Sequence, residues 1–319
     1  MIVTLDAFSG RPNPIWQLSE KDSAQLLERI SGRAVQAAAA DESATILGFR
    51  GFIVAAASDD EMPDTASSAF RVGGPMPAQA VVFDSRLTEF SASEWVEVSR
   101  FLLNTGRHVL DAGLMMHLEA LIPTHAQPAP IADETLWMVP AEPAPEEELL
   151  QGKALDQGVA EDVALAAACV IANTRYNPGF WNRPGVQEKN NCYNFAMNWR
   201  SDTFAQPGRI SGHPYSAINC AAIGTAANWD GCHTYCSGSN KNVALVIAPR
   251  FAGDGPDYHW YRRQKEGFWA HKPGPGAATN KDNLGRLIDG RILTPANCAR
   301  GDYTIFCGYR FSPTGMRVR

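Results

Sequence analysis

Asn190-Asn191-Cys192-Tyr193-Asn194-Phe195-Ala196-Met197-Asn198-Trp199 is the stretch on which the reading of the chain turns. Polar residues run into one cysteine, after which Tyr193, Phe195-Ala196 and Trp199 recur at helical spacing. A loop therefore enters a helix with Cys192 in its first turn. A thiol placed there sits near the positive end of the helix dipole, among backbone N–H groups without partners. Both favour the thiolate, which is the nucleophilic form. The competing reading of any one cysteine is a small buried hydrophobe.

Downstream, Asn242-Val243-Ala244-Leu245-Val246-Ile247-Ala248 is a continuous apolar run of β-branched character, a buried strand. Tyr258-His259-Trp260-Tyr261-Arg262-Arg263 is a second strand, Lys265-Glu266-Gly267 a turn, and Phe268-Trp269-Ala270-His271 the return arm. Folding back across the turn brings the two strand ends together, so His259 and His271 are expected as neighbours.

Cys192 at a helix start, then the Val243–Ala248 strand, His259, and His271 twelve positions on, resemble the NlpC/P60-like thiol hydrolases over roughly residues 187–275. That family is a branch of the papain-like fold. The local sequence departs from it: its usual Asp-Cys-Ser-Gly is here Asn191-Cys192-Tyr193-Asn194. The resemblance implies a cysteine peptidase or amidase that cleaves an amide bond through a covalent acyl-enzyme, on a peptidoglycan-type or other peptide substrate. His259 would pair with the Cys192 thiolate and protonate the leaving amine, and His271 would hold His259 in the useful tautomer. The backbone N–H of Cys192 and Gln187 would stabilise the oxyanion, with Asn191 a weaker donor. Trp181, Trp260 and Trp269 would line the groove, core packing being their default. Acyl transfer by the same triad is one alternative, and a catalytically silent papain-like binding or interaction protein is the other. No cofactor is implied.

The fold class expected is α+β in two domains. Residues 1–125 read as a small α+β binding or regulatory domain. Its elements are strands at 1–5, 15–18, 47–54 and 80–83 and helices from Ser19, from Ser91 to Asn104, and around Leu114–Ile122. Residues 126–160 form a Pro/Glu-rich linker interrupted by apolar Leu136-Trp137-Met138-Val139. Residues 161–319 form the papain-like domain with a central antiparallel sheet, opened by a helix over Asp162–Ala172 that buries Cys169 and closed by a strand over Asp302–Tyr309. Residues 1–165 hold 10 Lys and Arg against 25 Asp and Glu, a balance of −15, while residues 166–319 hold 18 against 9, a balance of +9. Opposite signs could draw the acidic half onto the basic half and mask the site, ordinary solvated surface charge being the plainer account. The arginines are dispersed without a basic helix or motif, which argues against a nucleic-acid binder.

All seven cysteines lie in the second half. Met1-Ile2-Val3-Thr4-Leu5-Asp6 has neither a basic n-region nor an apolar h-region, so a cytoplasmic protein with reduced cysteines is the expectation, with export by a non-classical route the exception. No apolar run is long enough to span a bilayer. Cys232-His233-Thr234-Tyr235-Cys236 has an unusual spacing for zinc, and a local disulfide or reduced structural thiols fit it better. Scattered His108, His117 and His125 read as structural. Asp282, Asn283 and Asp289 lie in a Gly/Asn/Asp-rich surface loop without the pattern of an EF-hand.

Overall fold

A computed structural model of the chain describes residues 1–37, 46–56, 69–74, 88–126, 168–250 and 255–319. In the first half, β1 (Ile2–Asp6) turns Val3 and Leu5 inward and Ile2 outward, as the period of a half-buried strand requires. β2 (Ile15–Gln17) pairs with it across the Ser9–Pro14 loop. α1 (Glu20–Ile30) is capped by Ser19, whose side chain accepts from the Asp22 N–H. β3 (Gln36–Ala37), β4 (Gly51–Ala55) and β5 (Ala69–Val72) complete an antiparallel sheet in the order β2-β1-β4-β5-β3. α2 (Ala92–Thr105), opened by a full capping box between Ser91 and Glu94, packs on β4, β5 and α3 (Ala112–His125). The strand read at 80–83, and the linker over 127–160 with its apolar interruption at 136–139, lie outside the described residues.

The second half contains β6 (Val170–Ile171), α4 (Pro178–Trp181), α5 (Cys192–Met197), α6 (Cys220–Trp229), β7 (Ser239–Ala248), β8 (Asp257–Arg263), β9 (Trp269–His271) and β10 (Ile305–Pro313). Its sheet runs β10-β7-β8-β9, all antiparallel, with β6 added parallel to the start of β7. The fold is α+β, as the sequence suggests. The helix expected over Asp162–Ala172 is corrected where it can be seen. Cys169 is exposed and disulfide-bonded to Cys236, and the β-branched pair after it forms the edge strand β6. The closing strand starts at Ile305 and runs four residues past Tyr309 to Pro313.

The central sheet is covered on both faces, and the period of two assigns each residue to one of them. Val243, Leu245, Ile247, Tyr258 and Trp260 face α5 and α6, in a core with Cys192, Tyr193, Met197, Ile223 and Ala227. Ala244, Val246, Ala248 and Tyr261 face the other way, in a core with Val3, Leu5, Phe8, Phe52 and Val54 of the first half. The halves therefore build separate sheets over a shared core.

Polar contacts lock the same junction. The buried Asp257 carboxylate accepts the N–H groups of Ser9 at 2.7 Å, Gly10 at 3.2 Å and Arg11 at 3.0 Å, and the Tyr303 hydroxyl at 2.5 Å. Asn283 exchanges two hydrogen bonds with the Leu47 backbone. The halves do dock, and an acidic-on-basic attraction, Asp6 toward the Lys272 ammonium, is among the contacts at this interface. The carboxylate at its centre comes from the second half and is met by backbone amides of the first. The buried ion cluster of Asp6 with Arg50 and Arg71 lies wholly within the first half. Burial alone would raise the Asp6 carboxyl, and the two guanidinium groups hold it below its ordinary range.

Two disulfides, Cys169–Cys236 and Cys220–Cys307, tie β6 and α6 to the sheet, leaving Cys192, Cys232 and Cys298 as buried thiols. The reduced state expected for all seven is thereby corrected, and Cys236 pairs outside its own loop rather than locally. No helix among the described residues is long and apolar enough to cross a membrane.

Candidate functional site

α5 is placed by side-chain caps. Asn191 accepts from the N–H groups of Tyr193 and Asn194, while the Asn194 side chain accepts from the Asn191 N–H. Asn198 ends the helix in the left-handed conformation, so α5 is one and a half turns long and stops before Trp199. Cys192 is its first residue, as expected, and is fully buried. Burial first and the Asp257 carboxylate second push its thiol far above the ordinary value. The N–H groups of Trp260 and Tyr193 and the Lys272 ammonium pull the other way without offsetting them. The advantage of a helix start is outweighed by enclosure.

The histidines do meet. His259 and His271 are joined through Nε2 and Nδ1 at 2.9 Å, and His271 Nε2 lies 2.8 Å from the Lys281 carbonyl. A carbonyl only accepts, so His271 donates from Nε2, accepts at Nδ1, and holds His259 with its proton on Nε2. His259 Nδ1 is left as a bare lone pair, buried and without a hydrogen-bond partner. His271 thereby fixes the tautomer of His259.

The lone pair does not serve Cys192. His259 lies opposite Val246, on the face shared with the first half, whereas Trp260 lies opposite Leu245, on the face of α5. Around the His259 ring are His271, Tyr261 and Tyr303, with ring centroids 5.0, 4.8 and 5.9 Å away. No hydrogen bond, ion pair or electrostatic contact joins Cys192 to either histidine. Burial, then His271 and Arg50, hold His259 well below its ordinary value, and burial takes His271 down to about 4. A neutral thiol on one face and two neutral imidazoles on the other do not make a thiolate–imidazolium pair. The triad read from the sequence is corrected to a histidine pair plus a separate buried cysteine.

The supporting residues have other duties. Gln187 donates its side-chain amide to the Pro275 carbonyl, and Asn191 donates to the carbonyls of Gly10 and Ala205. Both hydrogens of the Asn191 amide are thereby engaged, and one of those of Gln187. Trp181 packs on Phe195, Trp260 on Tyr193, and Trp269 stacks on Tyr309, all three buried. They are core, not groove.

Residues that the sequence reading passed over organise the region. The Lys272 ammonium donates to the carbonyls of Gln187, Asn190 and Gly274, pinning the loop that leads into α5, and burial brings its pKa down to about 7. The Gly10 carbonyl collects Asn191 Nδ2 at 3.2 Å, Gln206 Nε2 at 2.9 Å and the Tyr258 hydroxyl at 3.2 Å. A Cβ at Gly10 would lie 2.6 Å from the Tyr258 ring, so only glycine fits. The Ser9–Arg11 loop is thus a cover over Asn191, Tyr258 and Asp257, the groups surrounding Cys192. Its turn composition was a visible signal, but its docking partner was not.

The chain is 37% identical over 145 residues to insoluble matrix shell protein 1 of Ruditapes philippinarum, a match covering 44% of this chain and 92% of that protein. The chain belongs to the insoluble matrix shell protein 1 family. More than half of this chain lies outside the stretch aligned with that family member. No family model matches the chain, and no solved structure matches it.

Proposed function

We propose that this protein is a secreted structural protein of an extracellular matrix, a disulfide-braced scaffold in which the Cys192 region has no catalytic work. The observation that carries this reading is the separation of Cys192, enclosed and protonated, from the His259–His271 pair on the opposite face of the sheet. Two disulfides suit an oxidising compartment. The relative's name, insoluble matrix shell protein 1, supports a matrix setting.

One observation favours the thiol hydrolase as a second reading. The His271 relay leaves His259 Nδ1 as a base with nothing to accept from. The deciding measurement is the pH dependence of iodoacetamide labelling of the oxidised native protein, mapped by mass spectrometry to each cysteine. Under the structural reading, Cys192, Cys232 and Cys298 label together and only with denaturant. Fast labelling of Cys192 below pH 8, slowed by His259→Ala, would overturn it in favour of the hydrolase.

A further inference from the structure

An open cleft of about 530 Å³ lies along α6. Its floor is one face of the helix. Ala221 and Ala222, then Thr225 and Ala226, then Trp229 recur at a spacing of four, so they line up in a row of about 12 Å. Small side chains along that row make a shallow trench rather than a pocket. The wall is the His213–Asn219 segment, folded back by a tight turn in which the His213 N–H donates to the Gly208 carbonyl at 2.8 Å. Gly208 is in the left-handed region with the His213 carbonyl 1.9 Å from where a Cβ would sit, so the turn admits no side chain.

At one end the Trp229 indole remains 59% exposed although the His213 imidazole stacks on it at 4.1 Å and 21°. The stack fixes the orientation of the indole. The rim carries exposed hydrogen-bonding groups with no partner among the described residues: the hydroxyls of Ser216 and Thr225, and the amide nitrogen of Asn219, whose oxygen caps α6. Among the described residues, no Asp, Glu, Lys or Arg lines the cleft.

A flat apolar surface, a trench two ring-lengths long, a rim of neutral donors and acceptors, and no charge describe a particular ligand. It must have flat C–H faces, many hydroxyls and no ionic group. We infer that this cleft binds a neutral polysaccharide, with a pyranose ring stacked on Trp229 and its neighbour lying over Ala221–Thr225. Anionic polymers find no lysine or arginine among the described lining residues, and an extended peptide finds no sheet edge there.

The cleft is held rigid from three sides. Cys220–Cys307 fixes the start of α6, Arg310 donates to Gly224 O and Asn228 Oδ1 near its end, and the Asp230 carboxylate that follows it accepts from Tyr193 Oη. Little ordering is left for the ligand to impose. The inference gives the matrix reading a ligand and rests on it for where that ligand is met, although the site stands on its own residues.

The test is retention of the full-length, oxidised protein on insoluble chitin, cellulose and starch, with heparin beads as the charged control, for wild type, Trp229→Ala and Tyr309→Ala. Tyr309 is a comparably exposed aromatic outside the cleft. Retention on at least one neutral polymer, reduced tenfold or more by Trp229→Ala and unchanged by Tyr309→Ala, is the expected result. Retention on heparin alone, on nothing, or on a neutral polymer without dependence on Trp229 would overturn it. Thiol labelling run alongside separates the two proposals. A reactive Cys192 with intact Trp229-dependent binding sinks the structural reading alone, and silent thiols without binding sink the cleft alone.

Discussion

Replacing Asp257 with Asn should lift the Ser9–Arg11 cover and expose Cys192 while the rest of the molecule stays folded. Asn keeps the volume of Asp but turns one oxygen into an N–H₂ group. Oδ2 accepts from Ser9, Gly10 and Tyr303, and Oδ1 from Gly10 and Arg11, so either orientation sets a donor against donors. Leaving one to two buried donors unpaired costs about 1–3 kcal/mol each. The cover should therefore be weakened by about 3 kcal/mol relative to its open state. At 1.4 kcal/mol per factor of ten, that raises the open population on the order of a hundredfold.

Cys192 alkylation at pH 8 in native buffer reads that population directly, because labelling waits on opening. Cys232 and Cys298 are internal controls, since neither lies beside Asp257. Loss of the carboxylate also eases ionisation of the thiol, so Gly10→Ala is the companion variant. It pushes the loop off Tyr258 by contact and leaves the carboxylate in place. Both variants should speed Cys192 selectively. If neither does, or if all three thiols accelerate together, the loop is not a cover and the halves open only by global unfolding.

Acid should destabilise the protein through the histidine pair. The folded-state values of both imidazoles are depressed, so the stability they confer is present above about 6.5 and is lost as pH falls toward 4. For His271, at about 4 folded against an ordinary 6.5, the loss is about 3 kcal/mol, read as a falling urea midpoint between pH 7 and 4 that His271→Asn flattens. Reduction should be costly as well. The disulfides close separations of 67 and 87 residues, worth about 4 kcal/mol each in the chain-entropy account, so Cys169→Ser and Cys220→Ser should each lower the melting temperature. A reduced protein with an unchanged melting temperature would mean that the bridges add nothing to the fold.

Much of the scaffold was legible because its signals are local. Ser19 and Ser91 announce helices through caps that the structure contains, and the Val243–Ala248 run is a strand because nothing else buries so continuous an apolar stretch. Cys169 misled for the opposite reason. Its neighbours are apolar enough for a helix, whereas the bond to Cys236, 67 residues away, and the pairing of Val170–Ile171 with Ser239–Asn240 are long-range contacts. The charge asymmetry is a coarser signal. Net charge reports long-range attraction, whereas the described part of this junction combines a shared apolar core, the Asn283–Leu47 bonds and three backbone N–H groups around one carboxylate, which no count of charges can register.

The candidate site failed on parity, and this failure bears most on function. Order and spacing place Cys192, His259 and His271 in one neighbourhood, and the hairpin does bring the histidines together. Whether His259 turns toward α5 depends on which residues of β8 face it, and a shift of one residue reverses the answer. Tyr258 and Trp260, large and apolar, occupy the α5 side, each in the same core as Cys192. His259 is left to the other face by simple alternation. The aromatic residues that flank it in the sequence were therefore the available signal. Read as core positions rather than as a groove lining, they place the imidazole on the side away from the thiol.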